Sequence, residues 1–177
     1  MAKLLHTSGT AAAHRRPLTA LLAALSLYAS HPAAAPSIGD SAPDFALRSL
    51  SGENVRLSEH LGEVVILNFW GTWCGPCRQE MPLLDEIYLK YRRAGLVLFS
   101  VNIDDESARA AEMAKTLEVS YPVLLDQRKD VARAFDVGTL PVTVLIDRAG
   151  IVRYVSDGYK PGYEQRYTER LRELLNE

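Results

Sequence analysis

Two runs of apolar residues mark the centre of the predicted fold. The first covers Val64 to Trp70 and is interrupted only by Asn68, and the second covers Leu96 to Ile103. A strand that is apolar on both faces is typical of a sheet covered by helices on each side. We therefore predict that both runs are buried strands.

Segments with helical and extended patterns alternate along the rest of the chain. A helix is predicted from about Gly75 to Arg93, and Gly95 ends it. The other predicted elements are a hairpin from residues 36–47 and 51–58, helices at 107–117, 129–135 and 162–176, and extended segments at 121–125, 142–146 and 151–155. The alternation predicts one α/β domain with a mostly parallel central sheet, in which the last two strands form an antiparallel hairpin.

The first 35 residues differ in composition from the rest. Arg15 and Arg16 precede an apolar run at 18–29, and three alanines follow at 33–35. This is the order of a secretory signal peptide, and the run is shorter than the roughly 20 apolar residues that span a bilayer. We predict a signal peptide at 1–35, with an uncleaved anchor as the alternative, and a folded domain at 36–177 located outside the cytoplasm.

The charge balance excludes several classes of partner. The 177 residues carry a formal net charge of -2, and the chain beyond residue 35 holds 17 basic and 22 acidic residues. Nucleic acids and anionic membrane surfaces bind basic patches, which this balance does not favour. We expect a monomer that contacts no nucleic acid and meets a membrane only through an uncleaved N-terminus.

Cys74 and Cys77 are the only cysteines, and they lie where the first central strand passes into the first helix. The N–H groups and the dipole at a helix start stabilise a thiolate there. On a helical wheel Cys77 faces the apolar side, whereas Cys74 precedes the helix. We therefore predict that Cys74 attacks a disulfide and that Cys77 resolves the mixed disulfide. The alternative is a structural disulfide or an incidental pair.

A metal site is not predicted. Zinc needs about four ligands, and His60 is the only histidine beyond residue 35. The cysteine pair with one histidine does not complete such a set.

Glu80 follows Cys77 by one helical turn and falls among apolar positions on the wheel. Burial would raise the pKa of its carboxyl and allow it to exchange a proton with a thiol. The alternative is an acidic first-turn residue that complements the helix dipole. The pattern alone leaves both hypotheses open.

Two prolines are expected to shape the site. Pro82 lies inside the first helix, where it removes a hydrogen bond and should cause a kink. Pro141 follows Gly138, Thr139 and Leu140 at the start of a strand, where a cis peptide would expose the preceding backbone to an extended substrate. An ordinary trans proline is the alternative.

Several motifs resemble those of thioredoxins. The segment from Trp73 to Cys77 resembles the thioredoxin active site, and Thr139 to Pro141 resembles the cis-proline segment. Closer still is the similarity to the TlpA/ResA group of exported thioredoxin-like proteins. It rests on the motifs Ala42-Pro43-Asp44-Phe45, Asn68-Phe69-Trp70-Gly71-Thr72-Trp73-Cys74, Glu80-Met81-Pro82 and Asp157-Gly158-Tyr159.

This resemblance implies a thioredoxin fold, with a central mixed β-sheet flanked by helices, an added N-terminal β-hairpin and a strand-helix insertion around 104–125. It also implies that Asn68 replaces the buried aspartate of cytoplasmic thioredoxins, which makes Glu80 the expected substitute. Gly75-Pro76 matches reducing thioredoxins. The implied substrate-binding residues are Trp73, Gly75, Pro76, Thr139, Leu140 and Pro141.

The leading hypothesis is a thiol-disulfide oxidoreductase that reduces exported client proteins, apocytochrome c among the suggested classes. The resemblance suggests a membrane electron donor of the DsbD/CcdA type, and the dithiol serves as its own redox group without a separate cofactor. A peroxiredoxin is the second hypothesis, but that family has Thr or Ser three residues before its reactive cysteine, whereas Thr72 lies two before Cys74. A metal chaperone is the third, although its cysteines usually lie further apart.

Overall fold

The computed structural model describes residues 36–177. Their elements are β1 (Ala46–Ser49), β2 (Asn54–Arg56), β3 (Val64–Trp70), α1 (Gly75–Tyr91), β4 (Leu96–Asn102), α2 (Ser107–Thr116), β5 (Val123–Leu125), α3 (Asp130–Ala134), β6 (Val142–Ile146), β7 (Val152–Asp157) and α4 (Tyr163–Asn176). Single 3-10 turns cover Leu57–His60 and Arg92–Ala94. The second of them follows α1 directly and ends at Gly95, whose φ of 99° turns the chain into the next strand. The predicted signal peptide lies outside the described residues.

The seven strands form one sheet in the order β2-β1-β5-β4-β3-β6-β7. Only the β3–β4 and β4–β5 pairs are parallel, and the other four pairs are antiparallel. The expectation of a mostly parallel sheet is therefore wrong, because β6 returns beside β3 in the opposite direction after α3. The mixed sheet implied by the family resemblance is confirmed.

The predicted N-terminal hairpin forms, but its first strand begins at Ala46. The preceding segment instead hydrogen-bonds to the start of β7. The Gly39 N–H donates to the Val152 carbonyl at 2.8 Å. Strand β1 also pairs with β5, which lies within the predicted insertion. The hairpin and the insertion thus extend the same side of the sheet.

Strand β3 is buried at every position, as its apolar run predicts. Ile66 and Trp70 pack in the cluster that contains α1 and α4, whereas Leu67 and Phe69 pack with Phe135 on the other face. Because successive side chains of a strand point to opposite faces, one run supplies both cores.

The end of β3 and the start of β6 lie at the same edge of the sheet. Phe69 pairs with Val142 in the antiparallel register. The chain that leaves β3 toward Cys74 therefore lies beside the chain that enters β6 through Pro141. Within residues 36–177, no helix combines the length and apolar character needed to cross a bilayer.

Candidate active site

Cys74 and Cys77 form a disulfide at the start of α1, with their Cα atoms 5.3 Å apart. Cys74 is the N-cap residue, and its Sγ accepts a hydrogen bond from the Cys77 N–H at 3.2 Å. Gly75 and Pro76 occupy the first helical turn, where the missing N–H of proline costs nothing. The backbone thus directs a donor at the sulfur of Cys74, which favours its thiolate when the pair is reduced.

The two cysteines are both buried but differ slightly in exposure. Cys77 is completely buried, while Cys74 retains 7% of its surface. This agrees with a first contact through Cys74 and a shielded Cys77, although the two roles stay predictions.

Trp73 directly precedes Cys74 in the chain and is 63% exposed. Its ring lies directly over Gly71, where an added Cβ would come within 2.8 Å of the ring atoms. Only glycine permits this approach. The Thr72 N–H also bonds to the buried Asp104 carboxyl at 3.0 Å, which fixes the turn from outside α1.

The segment before β6 forms the opposite wall of the site. The Leu140–Pro141 peptide bond is cis, as predicted. The Pro141 carbonyl accepts a hydrogen bond from the Gly158 N–H at 2.7 Å, whereas the Thr139 backbone makes no hydrogen bond within residues 36–177. Thr139 is exposed and Leu140 half-buried, so a free backbone edge faces solvent there.

Glu80 is completely buried on the inner face of α1. Its Oε1 accepts hydrogen bonds from the hydroxyls of Tyr167 at 2.8 Å and Thr143 at 3.0 Å. Its Oε2 accepts one from the Asn68 side-chain amide at 2.7 Å. Asn68 also donates to Thr143 at 3.0 Å.

Burial raises the pKa of Glu80, and the hydrogen bonds from Tyr167, Thr143 and Asn68 oppose the rise only in part. No Lys, Arg or His in the described chain forms an ion pair with this carboxyl. The first turn of α1 holds no acidic residue. The helix-dipole hypothesis is therefore wrong, and the buried-acid hypothesis describes the environment of Glu80.

A row of polar residues crosses the sheet, and two of its members hydrogen-bond Glu80. Asn68 on β3 pairs with Ser100 on β4 and Thr143 on β6, and Thr143 pairs with Ser156 on β7. Asn68 and Thr143 are each the single polar residue of an otherwise apolar strand. The sequence interpretation included Asn68 but missed Thr143 and the Tyr167 hydroxyl. For Thr143 the available signal was a single polar residue in an apolar strand.

No cluster of three or more potential metal ligands occurs in the described residues. The His60 imidazole is hydrogen-bonded to Glu63 at 2.8 Å and packs on Phe99. His60 precedes β3, whereas Cys74 follows it, so the two residues flank opposite ends of that strand.

Comparison with known proteins agrees with the site. Residues 38–155 match the model of the AhpC/TSA family. The chain is 40% identical over 124 residues to thiol-disulfide oxidoreductase ResA of Geobacillus kaustophilus, covering 70% of this chain and 71% of that one. It is 39% identical over 145 residues to ResA of Geobacillus thermodenitrificans, covering 80% and 83%. A Chlorobium tepidum crystal structure, provisionally named thiol:disulfide interchange protein DsbE, superposes with a TM-score of 0.77 at 33% identity, covering 80% of this chain and 99% of that one.

A thioredoxin fold with a Cys-x-x-Cys disulfide at the start of its first helix defines a thiol-disulfide oxidoreductase. In this chain the site also contains the buried Glu80 and the exposed Trp73. The chain belongs to the AhpC/TSA family and to the TlpA/ResA-like thioredoxin family.

Proposed function

We propose that this oxidoreductase works outside the cytoplasm and reduces disulfide bonds in exported client proteins, including those handled during cytochrome c maturation. A membrane electron donor of the DsbD/CcdA type restores its dithiol, and the protein needs no cofactor besides Cys74 and Cys77. The observation that carries the proposal is the asymmetry of the pair: Cys74 lies at the helix start beside an exposed Trp73, while the buried Cys77 is followed one turn later by the buried Glu80.

The reaction proceeds in two exchanges. In the reduced enzyme the Cys74 thiolate attacks one sulfur of a client disulfide, forming a mixed disulfide and releasing the other client sulfur as a thiolate. Cys77 then loses its proton to the Glu80 carboxylate and attacks the Cys74 Sγ. The enzyme disulfide forms, the second client sulfur leaves, and the client has gained two electrons and, from solvent and Glu80, two protons.

The site walls supply the contacts that hold a client. Trp73 offers an exposed aromatic surface, and the unpaired Thr139 backbone can hydrogen-bond an extended peptide in the manner of an added strand. Gly75, Pro76 and Leu140 complete the surface around the disulfide. A client segment placed between these walls would present its disulfide to Cys74.

Trapping tests the client class and the division of labour together. Cys77→Ser should accumulate mixed disulfides with exported proteins, because the Cys74 adduct can no longer be resolved. Cys74→Ser is the matched control and should trap none. Adducts that form only through Cys77, or that contain only cytoplasmic proteins, would contradict the proposal.

Location is tested with a C-terminal alkaline phosphatase reporter, which is active only after export. The full chain should give activity, and a variant lacking residues 1–35 should give none. Reporter protein that accumulates without activity on the full chain would refute an extracytoplasmic site of action.

A further inference from the structure

The hydroxyl of Tyr167 has two acceptors and only one proton. It lies 2.8 Å from Glu80 Oε1 and 3.4 Å from Ser156 Oγ, and the tyrosine is completely buried. A hydroxyl donates one hydrogen bond at a time but can accept others. Its direction can therefore follow the charge of Glu80.

With Glu80 ionised, every contact points toward the carboxylate. Tyr167 and Thr143 donate to Oε1, and Asn68 donates to Oε2. Hydrogen bonds to an ionised group are about twice as strong as neutral ones. This arrangement lowers the cost of a buried charge that has no cationic partner among residues 36–177.

With Glu80 protonated, one contact must reverse. A proton on Oε2 would face the N–H of Asn68, so Oε1 is the better position. Of the two hydroxyls there, Thr143 has no second acceptor among its hydrogen bonds in the described residues, whereas Tyr167 has Ser156. The carboxyl O–H can then donate to the Tyr167 oxygen while the phenol donates to Ser156.

We propose that Tyr167 is a positioning residue for Glu80, whose hydroxyl turns from the carboxylate to Ser156 when the carboxyl takes up a proton. The buried acid then remains hydrogen-bonded in both states. The benefit to catalysis rests on the proposed proton exchange between Glu80 and Cys77. The reversal itself depends only on the geometry of α1, α4 and β7.

The other titratable groups near Glu80 are Cys77 on its own helix and the phenols of Tyr121, Tyr159 and Tyr167. Burial, followed by the charges of Asp85 and Glu80, raises the pKa of Tyr121, and burial followed by the Glu80 charge raises that of Tyr167. Burial and the hydrogen bond to Glu164 raise the pKa of Tyr159 to about 12. The phenols therefore stay protonated near neutral pH.

The test measures the pH at which the Glu80 carboxyl is half protonated in the oxidised protein, where neither cysteine titrates. Its carbonyl infrared band is followed against pH and assigned by its loss in Glu80→Gln. Tyr167→Phe removes one of the three donors to the ionised form and should raise the midpoint by about one pH unit. Ser156→Ala removes the acceptor needed by the protonated form and should lower it by about half a unit.

Tyr154→Phe is the matched control, because its ring packs edge-on against Tyr167 with centroids 6.2 Å apart, yet its hydroxyl makes no hydrogen bond in the described chain. It should leave the midpoint unchanged. Opposite shifts for Tyr167→Phe and Ser156→Ala support the proposal. Equal directions, an unmoved midpoint in Ser156→Ala, or a carboxyl that never changes state within the folded range overturns it.

A second measurement separates this inference from the proposed function. In reduced Cys74→Ser protein, the pH profile of Cys77 alkylation should shift upward with Tyr167→Phe, and the shift should vanish when Glu80→Gln is added. The carboxyl midpoints could move as expected while the pH profile of Cys77 alkylation stays the same. That result would uphold the role of Tyr167 and refute proton exchange between Glu80 and Cys77. If Tyr167→Phe does not fold, Ser156→Ala decides the reversal alone.

Discussion

Two neighbouring rows of residues on the same face of the sheet have opposite characters. The apolar row crosses β4, β3, β6 and β7 and consists of Leu98, Ile66, Leu145 and Tyr154. The polar row lies beside it, two residues away on each strand, and consists of Ser100, Asn68, Thr143 and Ser156. The three aliphatic members of the first row are buried in the cluster shared by α1 and α4, and all four members of the second row are also buried. Burial is therefore common to both rows, but only the first gains free energy from it.

The difference shows how the sheet separates stability from chemistry. Apolar burial contributes roughly 25 cal/mol per Å², whereas a buried polar group costs free energy unless it finds a partner. Within the polar row, Asn68 and Thr143 bond to Glu80 and Ser156 bonds to Tyr167. The Ser100 hydroxyl finds no partner among residues 36–177. Apolar residues at these positions would stabilise the fold more, but they could not hydrogen-bond the carboxyl that holds a proton one helical turn after Cys77.

The largest expected loss of stability comes from a substitution in the apolar row. Ile66→Ala should lower the free energy of unfolding by about 2–5 kcal/mol, because it removes a buried side chain and leaves a cavity. Urea denaturation of the oxidised protein measures the loss. The pH profile of disulfide reduction by the remaining folded protein should be unchanged, and a shifted profile would show that the two rows are coupled.

Thr143→Val sharpens the comparison, because it makes one polar position apolar with little change of volume. Both the Glu80 Oε1 and the Asn68 amide lose a partner, so we expect a loss of about 1–3 kcal/mol together with an upward shift of the Glu80 titration. Denaturation and infrared titration give the two values. A more stable protein with an unshifted titration would mean that the polar row has no role in holding Glu80.

Glu80→Gln tests the sign of the pH dependence. Burial raises the pKa of Glu80 in the folded state above its usual value of 4.5. As pH rises from about that value, the unfolded chain loses its proton first and the native protein loses stability. The variant should lack this decline between pH 4.5 and the raised folded pKa, and its rate of disulfide reduction near neutral pH should fall by about 10²-fold. Denaturation at a series of pH values provides the check; a wild type and variant with parallel pH dependence would contradict the raised pKa.

Trp73→Ala has the smallest expected effect on stability, because the side chain is 63% exposed and outside both rows. We expect a change within about 0.5 kcal/mol. Its kcat/KM should fall about tenfold for insulin, which corresponds to about 1.4 kcal/mol of binding, and should stay constant for a small-molecule disulfide. Equal losses for both substrates would place Trp73 in the exchange chemistry rather than in client binding.

Local sequence features predicted the elements but not all of their directions. The apolar run of β3, the glycine after α1 and the cysteines between them were sufficient to locate the central strand and the disulfide. A chain that alternates strand and helix looks the same whether β6 lies parallel or antiparallel to β3, so the pattern alone gave a mostly parallel sheet. The family resemblance supplied the mixed topology.

The surroundings of Glu80 depend on contacts between distant parts of the chain. The helical wheel placed Glu80 among apolar positions, but its hydrogen bonds come from Thr143 and Tyr167, which lie 63 and 87 residues further along the chain. Tyr167 falls within the last predicted helix, and nothing in the local pattern indicates that its hydroxyl reaches Glu80. Strand register, which the pattern did not give, brings these groups together.

The central claim is that Cys74 and Cys77 act as a reductant, and their reduction potential tests it most directly. The purified protein is equilibrated with dithiothreitol and glutathione buffers, and the fraction of free thiols is counted by alkylation. We predict a value near that of thioredoxin, about -270 mV, as expected from the Gly75-Pro76 resemblance to reducing thioredoxins. A value near that of the oxidant DsbA, about -120 mV, would contradict the account.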